Sequence, residues 1–203
     1  MKENPYALAG WLSIAAAVLL PPMAVLGFLL DLGGARGDVL RLAPLAIVYL
    51  AMIGCQTLFS IYVFWRLRSF LKERFSFHEV DTIIVWMIVG ILVLTAVMVT
   101  GKVVIWLGVA KLAVVFFIAA LFLFGIPLAV LSIVFAVKLL RVPSEWRGMK
   151  KPYCVLVIIG SALYATGILS PIAMLLDAAA GLILGFVLLR PAEELADEEL
   201  EFV

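Results

Sequence analysis

Arg66-Leu-Arg-Ser-Phe-Leu-Lys-Glu-Arg-Phe-Ser-Phe-His-Glu-Val-Asp-Thr82 is the longest polar interruption between apolar runs, and its reading decides the fold. Leu67, Phe70, Leu71 and Phe75 recur at i, i+3, i+4 and i+8 and line one face of a helix. Arg66, Arg68, Lys72 and Glu73 fall mostly on the other face. This is the pattern of a short amphipathic helix lying on a membrane surface, marked by the positive charges of Arg66, Arg68, Lys72 and Arg74. Ser76 followed by Glu79 has capping-box spacing, with Phe75 and Val80 at the positions of a hydrophobic staple. A new helix is therefore expected near Phe77.

Away from this segment the chain is strongly apolar. Of 203 residues, 66% are hydrophobic and 14% charged, against about 25% charged in soluble domains. That composition defines an all-α, polytopic integral membrane protein. A net charge of +1 gives no support to nucleic-acid binding, and in a membrane protein the side on which each charge lies matters more than the total. Cys55 and Cys154 lie in apolar runs without C-x-x-C spacing, so they read as small buried hydrophobes.

Taking about 20 apolar residues per crossing, the chain divides into six transmembrane helices. The first, residues 8–30, is too long for a signal-peptide core and reads as a retained signal anchor. Pro21 and Pro22 near its middle remove two backbone donors and should break it. The second, residues 42–65, carries Cys55, Gln56, Thr57 and Ser60, a set suited to interhelical hydrogen bonding or to lining a small cavity. The third covers residues 77–100. Residues 101–111 read as an interfacial segment before the fourth span, 112–137, in which Pro127 falls mid-helix. Lys138, Arg141, Arg147, Lys150 and Lys151 form a second basic loop with Trp146 as an interface anchor. Pro152 starts the fifth span, and Ser170-Pro171 opens the sixth, which ends at Leu189. Gly181 and Gly185 in the sixth form a G-x-x-x-G, read as helix packing rather than as a dimer signal, although an oligomer could form through it. Residues 191–203 are an acidic tail.

Placing the opening segment on the cytoplasmic side puts both termini inside (N-in/C-in). Lys2, the four cations of that segment, the five of the second basic loop and Arg190 then lie inside, whereas Arg36, Arg41, Lys102 and Lys111 lie outside. The bias follows the positive-inside rule and points to a cytoplasmic (inner) membrane. Tyr6, Trp11, Tyr62, Trp65, Trp146 and Tyr153 fall near the inner interface, as an aromatic belt requires.

Few residues carry recognisable chemistry. Pro22 and Pro127 head similar six-residue stretches, and Gly54 and Gly160 match at a similar offset, which would make residues 8–101 and 112–190 a three-plus-three inverted repeat. Low sequence complexity produces such matches as well. Asp177, about two turns inside the sixth span, is an acidic residue at membrane depth; the expectation is a structural ion pair with Lys111 or Lys102. His78 and Asp81 share a helix turn but lack further ligands for a metal, and acidic residues in a first turn are accounted for by the helix dipole. No catalytic residues, metal or cofactor are expected.

Two functional readings follow. The first is a non-catalytic accessory or scaffold subunit, one six-helix domain over residues 1–190 plus its tail. It would dock a protein partner or anionic lipid at the cytoplasmic face through Arg66, Arg68, Lys72, Arg74, Arg141, Arg147, Lys150 and Lys151. The second is a small transporter or channel for an uncharged or hydrophobic solute, with Pro21, Pro22 and Pro127 as helix breaks and Gln56 and Asp177 at a cavity. A polar cavity reaching Gln56 or Asp177 would separate them.

Overall fold

Apolar runs of this length must satisfy every backbone polar group within themselves, and the helix is the local way to do so. In the computed structural model, which describes residues 4–35, 39–106, 115, 118–142, 146, 148–166 and 170–190, all regular structure is helical. The helices are α1 (Ala7–Ala35), α2 (Val39–Phe75), α3 (Asp81–Trp106), α4 (Ile126–Leu139), α5 (Lys150–Ala165) and α6 (Ser170–Leu189), and a π-helical turn, Leu121–Gly125, leads into α4. Five stretches are long and apolar enough to cross a membrane: Ala7–Gly33, Ala43–Phe75, Asp81–Val104, Ile118–Leu139 and Pro171–Leu189. The sixth helix, α5, has 16 residues.

Each helix packs on its neighbours in sequence, and α6 returns to pack on α1, so the six close into a ring. The closing contact depends on missing side chains. A Cβ at Gly10 would lie 2.9 Å from the Gly185 carbonyl oxygen, and one at Gly185 would lie 2.6 Å from Ile14 Cγ1. At Gly181 the nearest atom would be Ala17 Cβ, 3.2 Å away. Ser13 Oγ crosses the same contact to donate to the Gly181 carbonyl at 2.7 Å. Gly181 and Gly185 are thus covered by α1 of their own chain, the close helix packing read from the motif.

At one end of the ring the helix termini converge. Asn4 Nδ2 donates to the carbonyls of Leu188 and Arg190 at 2.9 and 3.0 Å, so the start of α1 and the end of α6 meet there. The segment read as a separate surface helix is the last part of α2, which is continuous over 37 residues. Its apolar face turns inward: Leu67, Phe70 and Leu71 are at most 1% exposed. Phe70 meets Tyr6, Phe75 and Trp146 edge-on, with centroids 5.2, 5.7 and 6.4 Å apart. Aromatic packing inside the protein has replaced burial in the headgroup layer. Trp146 is accordingly no interface anchor but fully buried, carried inward by a turn with left-handed φ of 49° at Trp146 and 75° at Gly148.

The capping box is also not formed. Ser76 has φ 48°, and the Phe77 N–H donates to the Leu71 carbonyl at 3.2 Å, so Ser76 ends α2 instead of starting α3. α3 begins at Asp81, whose N–H donates to the His78 carbonyl at 3.1 Å. Residues 101–106, expected at the interface, continue α3; residues 107–114 and the tail 191–203 lie outside the described residues. Cys154 is buried as expected, whereas Cys55 is exposed on the outside of the ring.

The prolines behave differently from one another. Pro21 and Pro22 do not end α1, which runs through them, and both are exposed on its outer side. Ahead of Pro127 the helix widens instead: the Ile126 N–H donates to the Leu121 carbonyl, an i to i+5 bond. This relieves the clash between a proline ring and the carbonyl four residues earlier. The Gly54 and Gly160 matched by the repeat have unlike surroundings, nothing within 4 Å at the first and Asp177 Oδ1 at 3.1 Å at the second.

Candidate functional site

One face of each helix must look into the ring, and on α1 that face is Ser13, Ala16, Ala17 and Leu20, at i, i+3, i+4 and i+7. Gln56, Ser60, Val63 and Phe64 follow the same period on α2, Tyr153, Val157, Ser161 and Tyr164 on α5, and Asp177, Ala180, Gly181 and Leu184 on α6. Met87, Ile91 and Leu94 of α3 complete the wall with Leu128, Ala129, Ser132 and Phe135 of α4. Together they line a partly open cavity of about 400 Å3 that reaches both Gln56 and Asp177. Gly125, the last residue of the π turn, is buried in its wall.

Most of the lining is apolar, and its polar groups are unevenly satisfied. Ser13 donates to Gly181, and Ser132 Oγ donates to the Leu128 carbonyl of its own helix at 2.9 Å. Thr57, next to Gln56 but turned away from the cavity, shares a 3.1 Å hydrogen bond with Thr95 and so serves as the expected interhelical link. Gln56 Oε1, by contrast, is buried with no hydrogen-bond partner among the described residues.

Of the ion pairs expected for Asp177, the one with Lys102 is not formed. No described residue hydrogen-bonds or ion-pairs with Asp177, and its side chain stays accessible because it opens on the cavity. Lys102, one expected partner, is at the far end of α3 on Asp31, with Nζ to Oδ distances of 2.5 and 2.6 Å, and 5.9 Å above the Tyr49 ring. Lys111 lies outside the described residues. Gly160 of α5 faces the Asp177 carboxylate, and a side chain there would occupy its space.

The basic residues expected to form a docking surface are largely engaged within the chain. Arg66 Nε donates to the Tyr62 hydroxyl at 3.2 Å. Arg68 pairs with Asp81 at 3.1 Å. Arg74 lies over the rings of Phe70 and Tyr6, 5.5 and 5.9 Å from their centroids. Arg141 and Lys138 approach Glu79 at 3.9 and 4.0 Å. Lys150 is buried, its Nζ donating to the Val142 carbonyl at 2.7 Å. Lys72 and Lys151 are exposed, and Arg147 lies outside the described residues. At the same end Tyr6 donates to Glu73 at 2.5 Å. Burial first, and then the hydrogen bond to Glu73, pushes the Tyr6 phenol up to about 12.

His78 Nδ1 is 3.6 Å from Asp81 Oδ2, and no three metal-ligating side chains cluster among the described residues. Sequence reasoning missed Ser13, Ser132, Ser161 and Tyr164 as wall residues and placed Tyr153 at the interface. Their signal was phase: each lies three, four or seven residues from small or polar residues of the same inner face.

The fold and the cavity define an all-helical, multi-pass membrane protein with an internal site. Compared with known proteins, the chain matches no family model, no curated protein and no solved structure. The cavity's own chemistry is what bears on function.

Proposed function

We propose that this chain is a small carrier that moves a solute across a cytoplasmic membrane through the centre of its helix ring. The observation that carries the reading is the cavity lined by all six helices and reaching Gln56 and Asp177. Its size lies at the lower end of the range of about 300–1,000 Å3 for small-molecule sites, and a void left by imperfect packing would be apolar throughout. The π turn before Pro127 supports the reading too, since such turns are frequent at functional sites.

On this reading the chain crosses six times, α5 included, with both termini inside. The approach of Asn4 to Arg190 supports an even number of crossings, and the Lys and Arg bias supports the orientation. The accessory-subunit reading has less support, because Arg66, Arg68, Arg74, Arg141 and Lys150 of its docking cations already contact other groups of the chain.

The test is access. Ser60, Ser132 and Ser161 are replaced singly by cysteine in a Cys55→Ala, Cys154→Ala background and reconstituted into vesicles. A small, charged methanethiosulfonate is then applied from either side. A carrier gives modification of at least one position from each side; protection of all three from both sides overturns the reading.

A further inference from the structure

Resting on the carrier reading, we infer that the cavity takes a small organic cation bearing N–H donors and an apolar body, with Asp177 as its countercharge and Gln56 Oε1 as an acceptor. Among the described residues the wall carries one carboxylate and no Lys, Arg or His. The titratable groups around Asp177 are the phenols of Tyr153 and Tyr164 on α5. An ionised carboxylate at this depth is stabilised by a compensating positive charge; of the two lysines expected near it, Lys102 is held by Asp31 and Lys111 lies outside the described residues. The ligand is then the natural source of the charge.

The remaining atoms narrow the class. Gln56 Oε1 is an acceptor without a donor, so a ligand that brings N–H groups satisfies it and a hydrocarbon does not. Ser13 and Ser132 already donate to backbone carbonyls, which leaves their oxygens as acceptors, and the Asp177 carboxylate in the same wall repels an anion. Phe64, Phe135 and the two tyrosines provide aromatic surface for an apolar body or for a cation over a ring face. A sugar-like solute would leave most of its hydroxyls against Leu, Ala and Phe. A divalent metal ion would find one carboxylate and no cluster of three ligands among the described residues.

Phenylguanidinium and phenylurea are a matched pair of probes, alike in shape and in their PhNH–C–NH2 unit, with the charged C=NH2+ group of the first replaced by a neutral carbonyl in the second. Binding is measured by calorimetry on the full chain in detergent, and uptake is measured in proteoliposomes, for the wild type, Asp177→Asn and Gln56→Met. The expected result is saturable binding and uptake of phenylguanidinium, with phenylurea bound at least tenfold more weakly. Asp177→Asn should lose at least tenfold in affinity for the cation and little for phenylurea, and Gln56→Met should lose severalfold for both. Thermal unfolding of each variant verifies that it is folded, and Gln56→Met is a second readout should Asp177→Asn fail. Equal or preferred binding of phenylurea overturns the cation assignment while leaving the carrier reading standing. Binding of phenylguanidinium without uptake upholds the site and overturns the carrier. Binding of neither probe overturns the cation assignment.

Discussion

Replacing Asp177 by Asn distinguishes an open site from a structural ion pair by stability alone. Removing one partner of a buried pair costs about 3–5 kcal/mol, because the other charge is left uncompensated. Asp177 has no such partner among the described residues, and Asn has the same shape against the gap left by Gly160. The substitution also removes a charge held at membrane depth. The stability of Asp177→Asn should therefore lie within about 1 kcal/mol of wild type or above it, the size of an ordinary conservative change. For a chain of this length about 1 kcal/mol corresponds to roughly 2–4 °C in Tm, so a lost ion pair would appear as a fall of about 6 °C or more. Unfolding midpoints of both proteins in one detergent at one scan rate, followed by tryptophan fluorescence, give the comparison. A fall of that size would show that Asp177 is held by a partner, and the cavity would lose its free charge.

Three other perturbations address the frame around the site. Gly185→Val places a Cβ 2.6 Å from Ile14 Cγ1 and 2.9 Å from the Gly10 carbonyl oxygen, which backbone cannot yield. It should cost about 1–3 kcal/mol or more in thermal unfolding, whereas Gly54→Ala, with nothing within 4 Å, should be neutral or slightly stabilising. Lys102→Met leaves Asp31 without its cation; with side-chain exposures of 11% for Lys102 and 42% for Asp31, the loss should be about 1–3 kcal/mol, below that of a fully buried pair. Adding Asp31→Asn to Lys102→Met should cost less than the two single losses combined, and strict additivity would deny the interaction. Tyr6→Phe removes the donor to Glu73 and should cost about 1 kcal/mol near neutral pH. Because the phenol rises from 10.0 to about 12 in the folded chain, its contribution is complete below pH 10.0 and is lost as pH rises through about 12. The difference between wild type and Tyr6→Phe should therefore shrink across that window, and a constant difference would contradict the burial of Tyr6.

The membrane class and five of the spans were legible because an apolar run of about 20 residues has few alternatives to a membrane helix. The amphipathic end of α2 was not legible in the same way. A face of Leu67, Phe70, Leu71 and Phe75 has the same period whether it meets lipid or Trp146, and only the left-handed turn at Trp146 and Gly148 brings that indole over. Ser76 failed for a related reason, since its spacing from Glu79 fits a helix start while its φ of 48° makes it a helix end. Gln56 and Asp177 were legible as polar residues in apolar helices. That they share one cavity was not, because ring closure depends on Gly10 meeting Gly185, a contact between residues 175 positions apart.

Ring closure explains why this topology contains space at all. Packed helices sit about 8–10 Å apart, so six in a regular ring would surround a hole about as wide as another helix. Here α1 also touches α3 across the ring, which narrows the hole and leaves about 400 Å3. Large side chains could have filled that remainder, and Phe64, Met87 and Phe135 already fill part of it. Gly125, Gly181, Ala16, Ala17 and Ala180 do the opposite on the same wall. An empty apolar void is tolerated at a cost that grows with its volume, but a void bordered by a carboxylate and an amide oxygen that no described residue pairs adds a desolvation cost for each polar group. Replacing Gln56 and Asp177 by leucine would remove both costs together. A wall that keeps small residues and polar atoms facing the same space is better accounted for by something that enters it.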